Sequence, residues 1–452
     1  MGNNRRQIIG GLVGITASTL VGKQVSGKQT VSYTKSVSAY QSDEFVDAIG
    51  INTHLNWRNT VWGQTQEWRQ AMINLGVRYQ RTSLGALSDA KADFLWLWEN
   101  AGIKGLMMCS RVVRVDGIGP VFNNVETERY MNFLRDQIGL DKVIGIEGAN
   151  EPNNPKIATS GWEQRTRDHQ LWLYDAVKRI AGGTMPVISP SVFRRIPADY
   201  QALGRLDDCS DVANLHNYTA GRMPRLGVEG PDGGTVETTL DGVMSRACAA
   251  TPEKPLWVTE YGHDCSSEPA NLNSWVMSEA ASAKYLLRGL ALKFKKGAKR
   301  IFVYSLLDDA ASGDCYGLLA NSATYELAPR PSYYALQRLI ARLSDRGVAH
   351  TPGSLAYTLS GDQTNVETLL LKKRDGTWVL MIWQEVSLWD RKNARDITVS
   401  PRLLTLSLPF TASVTAFEPS ERDTGIVLSQ GTRSVGLSVP GHVMLLEIKA
   451  LA

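Results

Sequence analysis

Two glutamates stand at the ends of apolar runs, where a charge is costly unless it is solvated, paired or used. One run reads Ile144-Gly145-Ile146-Glu147-Gly148-Ala149-Asn150-Glu151-Pro152, and the other Leu256-Trp257-Val258-Thr259-Glu260-Tyr261-Gly262. Either carboxylate alone is ordinary; many proteins keep an acidic residue at a strand tip. Facing each other, two carboxyl groups have a specific use, the cleavage of a glycosidic bond. One protonates the leaving oxygen and the other acts on the anomeric carbon from across the sugar ring. At a separation of about 5–5.5 Å the second attacks directly and configuration is retained. Proximity to that second charge is expected to raise the pKa of the acid. Once the second is esterified the repulsion vanishes, and the first can deprotonate water.

Several neighbours have side chains suited to such a site. Arg81 could bond to Glu260 and keep it ionised, or be one half of a structural ion pair. His216 and Tyr218 share one side of a strand tip by two-residue alternation, while Asn217 faces away. His216 is a site residue or a satisfied core histidine. His54 could contact a sugar, and Tyr304 could underlie a sugar ring or fill the interior. Glu147, four residues before Glu151, reads as a partner for an inward arginine. Arg78 has the opposite strand parity to Arg81. Asp308 and Asp309 bind hydroxyls or cap a loop. The six histidines show no H-E-x-x-H spacing or tight triad, so neither a metal nor another cofactor is expected.

These residues need a frame. Short apolar runs at Phe45–Asn52, Val77–Thr82, Gly105–Cys109, Val143–Gly148, Pro186–Pro190, Val212–His216, Leu256–Glu260 and Ile301–Ser305 alternate with helical stretches such as Gln64–Leu75, Thr127–Ile138, Trp162–Ala181 and Asn273–Phe294. Unbroken apolar strands separated by helices are the pattern of a parallel sheet covered on both faces. Eight such units over 45–345 predict an α/β fold, a closed (β/α)8 barrel of the TIM type. Its rival, an open doubly wound sheet, would want a glycine-rich phosphate loop after the first strand, and none is present there. Ala328-Pro329-Arg330-Pro331 and the helix Tyr333–Leu343 end this pattern. Glu367–Lys372, Trp378–Trp383, Leu403–Leu408, Ser413–Glu418, Ser434–Val439 and His442–Ile448 then predict an antiparallel β-sandwich over 346–452, with a structural role. The segment 28–44 precedes the barrel, and Gln29–Lys35 could pair with the first strands of the sandwich. The glycine-rich stretch within 219–250 could wall the site.

Asn150-Glu151-Pro152 on strand four and Thr259-Glu260-Tyr261-Gly262 on strand seven resemble clan A of the glycoside hydrolases, retaining enzymes on (β/α)8 barrels. The resemblance implies that Glu151 is the acid/base, Glu260 the nucleophile, and Asn150 the holder of the sugar 2-hydroxyl. Leu75-Gly76-Val77-Arg78-Tyr79-Gln80-Arg81 resembles the clan's second strand, with its arginine at Arg81. His216-Asn217-Tyr218 resembles the segment carrying its histidine or tyrosine near the nucleophile. Tyr316-Gly317-Leu318-Leu319 and Pro331-Ser332-Tyr333-Tyr334 resemble the clan's segments after strand eight. The match covers about 45–345, and the added sandwich is similar to that of family 39 and polysaccharide-degrading relatives. Strand eight departs from the pattern in offering Tyr304 where many members stack a tryptophan.

The bulk properties agree with a folded carbohydrate enzyme. A formal charge of +4 over 452 residues is too dispersed for a nucleic-acid partner. The 12 Trp and 15 Tyr are enough for sugar stacking, though most must fill cores. Residues 1–27 pair Arg5-Arg6 with a short glycine-broken apolar run, the pattern of an export signal of the twin-arginine type or an uncleaved anchor at the membrane. Export to the periplasm or outside the cell is expected. Of the five cysteines, Cys265 with Cys315 and Cys209 with Cys248 are plausible disulfides, and Cys109 a buried small hydrophobe. The expected partner is a polysaccharide or oligosaccharide, handled by a monomer. Two rivals are a non-catalytic sugar-binding barrel, which loss of either glutamate would favour, and an aldolase or amidohydrolase. The latter would want a Schiff-base lysine or a histidine–metal group at the strand tips.

Overall fold

The computed structural model describes residues 36–451 apart from 116–118, 157, 194, 227–237, 267–275, 309–312 and 314. Eight parallel strands form the barrel: β1 (Ile49–Asn52), β2 (Tyr79–Thr82), β3 (Lys104–Met108), β4 (Val143–Glu147), β5 (Val187–Ile188), β6 (Ala213–His216), β7 (Leu256–Tyr261) and β8 (Arg300–Val303). Their order is β6-β7-β8-β1-β2-β3-β4-β5. A bridge between Ile188 and Val212 closes the ring, supported by Ser189 N–H donating to Val212 O at 2.9 Å. The first strand is shorter than the sequence predicts. Phe45 and Val46 belong to a helix, Ser42–Asp47, whose acidic first turn suits a helix N-terminus.

Helices wrap the outside, among them α1 (Glu67–Leu75), α2 (Ser88–Ala101), α3 (Asn124–Phe133), α4 (Trp162–Ala181), α5 (Pro197–Leu203), α6 (Leu240–Ala250), α7 (Glu279–Lys295) and α8 (Pro331–Leu343). In α4, Glu163 in the first turn and Lys178 and Arg179 in the last complement the helix dipole. Ser278 caps α7, its hydroxyl accepting from Ala281 N–H at 3.0 Å. The final part of the glycine-rich 219–250 stretch is the helix α6, and 227–237 lies outside the described residues.

The barrel interior is layered. Leu106, Ile188, Val212, Trp257 and Phe302 form an apolar plug. Gly50 leaves room for it, since a Cβ there would lie 2.4 Å from the Phe302 ring. One step along the same strands, the inward positions become Asn52, Arg81, Glu147, Asn214 and Thr259, all buried. Alternation along each strand therefore stacks a polar layer on an apolar one, towards the carboxyl ends. Arg78, of opposite parity, leaves the interior and pairs with Asp43 at 2.5 Å and Asp47 at 3.2 Å.

After α8 come β9 (Thr358–Gly361), β10 (Val366–Lys372), β11 (Trp378–Gln384), β12 (Arg402–Phe417), β13 (Ile426–Val439) and β14 (Met444–Ala450). The runs Leu403–Leu408 and Ser413–Glu418, read as two strands from sequence, are one strand. β12 breaks register near Ser407–Ala412, so its first half pairs with β9 and its second with β14. This irregularity carries one strand across both layers of the sandwich. Leu370, Leu380 and Ile382 face the sandwich core, whereas Leu371, Val379, Met381 and Trp383 join the barrel's core. Both faces of β11 are thus buried. Tyr40–Gln41 adds a parallel strand beside β10, and Ser36–Ser38 pairs with Ser354–Ala356. Gln29–Lys35 and the export segment lie outside the described residues.

Candidate active site

Arg81 organises the mouth of the barrel. Its Nε donates to Glu147 Oε2 at 2.5 Å and its Nη2 to Glu147 Oε1 at 3.0 Å, a forked grip on the buried carboxylate of β4. Its other bonds reach Glu260 Oε1 at 2.6 Å, Asn52 Oδ1 at 2.9 Å and Asn150 Oδ1 at 2.6 Å. One guanidinium thereby fixes residues from β1, β4 and β7. Glu147 is buried, which pushes its carboxyl up, but the charge of Arg81 and the His216 and Arg81 hydrogen bonds prevail and hold it at about 2. It is a permanent anion and the expected partner of an inward arginine. Asn214 Nδ2 also donates to it, at 2.9 Å.

A bulge in β7 brings Glu260 into this set. Leu215 pairs with Val258, yet His216 pairs with Glu260, so β7 carries one extra residue. Strict alternation would turn either Thr259 or Glu260 outward; the bulge lets both point in. Thr259 joins the polar layer through Asn214, at 2.7 Å. Glu260 receives Arg81 on one oxygen and the Tyr218 hydroxyl on the other, at 2.7 Å. The adjoining Gly262 permits close approach of β7 and β8, since a Cβ there would lie 2.0 Å from the Tyr304 carbonyl oxygen.

Glu151 sits above β4 with φ of 46°, a left-handed backbone unusual for a side-chain-bearing residue and disfavoured before proline. Such strain persists only where the surroundings over-determine it. Here Asn150 bridges to Ser191 and is gripped by Arg81, while Ser191 Oγ lies 3.3 Å from Glu151 N–H. His216 Nδ1 stands between the two glutamates, 2.9 Å from Glu151 Oε1 and 3.2 Å from Glu260 Oε2. One oxygen of each carboxylate and a ring nitrogen of His216 lie within 4.8 Å of one another. This group alone, among the described residues, has three such ligand atoms close enough to share a metal ion. The Arg81 guanidinium on Glu260 already supplies a cation there.

The electrostatics correct one expectation. Burial lowers the affinity of His216 for a proton, but Glu260, Glu147 and Glu151 around it raise its pKa to about 9. At neutral pH it is an imidazolium. Burial raises the Glu151 carboxyl, and the His216 hydrogen bond and charge, with Arg195 and Arg81, bring it below its ordinary value. A raised pKa from facing Glu260 does not result, because a cation stands between the two.

The remaining sequence candidates line the opening. His54 is 8% exposed, stacks on Trp57 at 3.8 Å and meets Tyr304 edge-on at 5.6 Å. Burial, aided by the Arg81 charge, depresses its pKa to about 3, so its ring is neutral. Tyr304, Tyr218 and Tyr316 form an edge-to-face trio with centroids 5.5–6.1 Å apart. Asp308 is tied to Arg330 by two bonds of 2.8 Å and accepts from Gly317 N–H at 2.8 Å, which holds the loop, and Asp309 lies outside the described residues. Tyr316, Trp57, Asn52 and Asn214 were not singled out from sequence as members of the site. For Asn52 and Asn214 the signal was present, since polar residues at inward strand positions stand out. All five cysteines are free thiols in this structure, so neither expected pair is bridged in this reduced form.

Beside Asn150 and Pro152 lies a recess of about 90 Å³, lined also by Ser110, Val112, Phe122 and Trp162. Two of its lining residues, Asn150 and Pro152, flank Glu151 in the chain, and its wall is mainly apolar.

No family model and no curated protein matches this sequence. Solved structures do match its fold. A monomeric β-xylosidase from Caulobacter crescentus CB15 superposes with a TM-score of 0.59 at 16% identity, over 92% of this chain and 98% of that one. A glucosidase from Croceicoccus marinus gives 0.59 at 13% identity, over 93% and 98%. The endo-β1,6-glucanase BT3312 gives 0.52 at 14% identity, over 92% and 93%. The chain therefore has the fold of these distant glycoside hydrolases, a (β/α)8 barrel with an appended β-sandwich, and carries buried acidic residues in the barrel's mouth.

Proposed function

We propose that this protein is a retaining glycoside hydrolase of the clan A type, cleaving O-glycosidic bonds of a polysaccharide or oligosaccharide by double displacement. Glu260 is the nucleophile and Glu151 the acid/base. The observation that carries this is their closeness at the mouth of the barrel, where one oxygen of Glu151 lies within 4.8 Å of one oxygen of Glu260. Inverting enzymes hold their carboxyl groups about 6.5–9.5 Å apart to admit a water. The two differ in the way the roles require. Arg81 and Tyr218 donate to the two oxygens of Glu260 and hold it in place for attack. Glu151 is bonded instead to His216, which holds a transferable proton.

In the first step Glu260 attacks the anomeric carbon and the glycosidic C–O bond breaks. Glu151 delivers a proton to the departing oxygen, replenished along the 2.9 Å bond from His216 Nδ1. Loss of the Glu260 charge in the ester removes a cause of the raised His216 pKa. In the second step Glu151 takes a proton from water, whose oxygen attacks the anomeric carbon and releases Glu260. Asn150, held by Arg81, is placed for the sugar 2-hydroxyl, and His54 and Tyr304 bound the ring. The recess beside Asn150 and Pro152 receives the leaving group. The protein acts as a monomer without a cofactor and is exported through its 1–27 segment, the twin-arginine pattern of which suits a protein secreted folded.

Substrate profiling on β-xylosides, β-glucosides and β1,6-glucan, with wild type and Glu260→Gln in parallel, tests the assignment. Glu260→Gln should abolish turnover, and proton NMR of the first-formed anomer should show retained configuration. An inverted first product, or activity indifferent to Glu260→Gln, overturns the mechanism.

A further inference from the structure

The loops after β7 and β8 are held side by side where each carries a cysteine. Cys265 N–H donates to Cys315 O at 2.9 Å, and Cys315 N–H donates to Asp264 Oδ1 at 3.2 Å. A direct backbone hydrogen bond between two residues sets their Cα atoms roughly 4.5–6 Å apart, within the span that a disulfide bridges without moving the chain. Asp264 and Arg330 both act electrostatically on each thiol, so the two sulfurs share one local environment. Cys265 also lines a small cleft with Tyr316, the residue next to Cys315. In the structure both sulfurs turn toward carbonyls of their own loops, His263 O at 4.0 Å and Gly313 O at 3.9 Å. These are weak contacts that side-chain rotation relinquishes.

The geometry points to a disulfide between Cys265 and Cys315, a covalent modification that staples the loop after β7 to the loop after β8 at the rim of the site. The structure shows the reduced state. The oxidant is a small or protein disulfide, such as oxidised glutathione. The Cys315 sulfur, the more accessible of the two, attacks one donor sulfur as thiolate. The donor S–S bond breaks, one donor thiolate leaves, and a mixed disulfide forms. The Cys265 thiolate then attacks Cys315 Sγ and expels the second donor thiolate. Two protein thiols are oxidised, one donor disulfide is reduced, and the two protons end on the donor thiols.

The staple has a structural consequence for the site. Cys315 precedes Tyr316, which packs against Tyr218 at 5.5 Å and Tyr304 at 5.8 Å. Tyr218 is in turn the donor to Glu260. Closing 50 positions of chain between the two cysteines constrains the unfolded state as well. Burial pushes the Cys265 thiol up to about 12, so the thiolate competes poorly with a disulfide once that bond has formed.

The test needs no substrate. The full-length protein is equilibrated with oxidised glutathione, its remaining thiols are alkylated after unfolding, and the digest is mapped by mass spectrometry. The expected result is one linked peptide pair joining Cys265 to Cys315, with Cys109, Cys209 and Cys248 alkylated. Thermal melting should shift upward on oxidation and return with dithiothreitol, and the shift should be absent in Cys315→Ser. Recovery of both Cys265 and Cys315 as alkylated thiols after oxidation, or a link to a different cysteine, overturns the proposal. A mapped link without any melting shift refutes the stapling role.

Discussion

His216→Asn is the substitution that separates this site from a generic carboxylate pair. In the native protein the His216–Glu151 couple holds one proton across a 2.9 Å bond, and the raised His216 pKa of about 9 sets where that proton is lost. Activity that depends on the proton should persist below pH 9 and fall as the pH rises through it. Asparagine keeps a hydrogen-bond donor near Glu151 but no titrating group. Glu151 must then hold the proton itself, pushed upward by burial and by the now unscreened charge of Glu260. At pH 8 the native couple is about 0.9 protonated, whereas a carboxylic acid alone is almost wholly ionised, so kcat/KM should fall by roughly 10-fold or more from protonation alone. At pH 5 most of that deficit should disappear. The assay is a kcat/KM profile from pH 4 to 10 on one hydrolysed glycoside, with circular dichroism at each end to show that the fold persists. An alkaline limb that stays near pH 9 in the variant refutes the shared-proton reasoning, whatever the absolute rate.

Three further outcomes rest on the same geometry. Tyr218→Phe removes the 2.7 Å donor to Glu260 and little packing, so kcat should fall by about 10–100-fold with melting nearly unchanged, measured by steady-state kinetics and calorimetry. Lys293 is fully buried with Nζ 3.4 Å from the Tyr261 ring centroid and no hydrogen-bond partner among the described residues, whereas buried Arg288 is bonded to Glu385 at 2.9 Å. Lys293→Met should therefore be neutral or stabilising, and Arg288→Met should cost about 3–5 kcal/mol by denaturant titration, because it strands Glu385. His54 and His263, both near 3, and His169, near 4, have pKa values depressed first by burial. Their stabilising contribution is complete above the unfolded value of 6.5 and is lost as the pH falls towards those folded values. Stability should start to decline below pH 6.5, by up to about 1.4 kcal/mol per pH unit for each histidine, seen as a falling denaturation midpoint.

What could be read in the sequence was what alternation and apolar runs encode. All eight barrel strands were visible because each apolar run is short and followed by room for a helix, even where Arg81, Glu147 or Glu260 interrupts it. The span of α4, Trp162–Ala181, was legible to the residue, since Gly161 and Gly182 flank an amphipathic stretch. Phe45 and Val46 misled because an apolar pair just before a strand has no period of its own. Leu403–Leu408 and Ser413–Glu418 looked like two strands because Pro409 and the irregular register between them resemble a turn, yet the chain continues across the sandwich. The fold was thus legible where burial repeats regularly, and obscured where one element changes partner.

The site was legible in a different way. Glu151 and Glu260 stand out because a carboxylate ending an apolar run needs a reason, and Arg81 because its parity turns it inward. The position of His216 was also visible, but its effect on the proton balance was not. That effect depends on a cation lying between two anions, a relation among three strands that no single segment contains. The same holds for Glu260 itself, whose inward direction comes from the extra residue in β7. Without that bulge Thr259 would occupy the inward position, and Arg81 would meet a hydroxyl where it now meets a carboxylate. Deleting Glu260 should accordingly leave a folded barrel with Thr259 inward and no carboxylate of β7 on Arg81, seen as lost activity with circular dichroism unchanged, because the polar layer below, anchored by Glu147, Asn52 and Asn214, does not depend on the bulge.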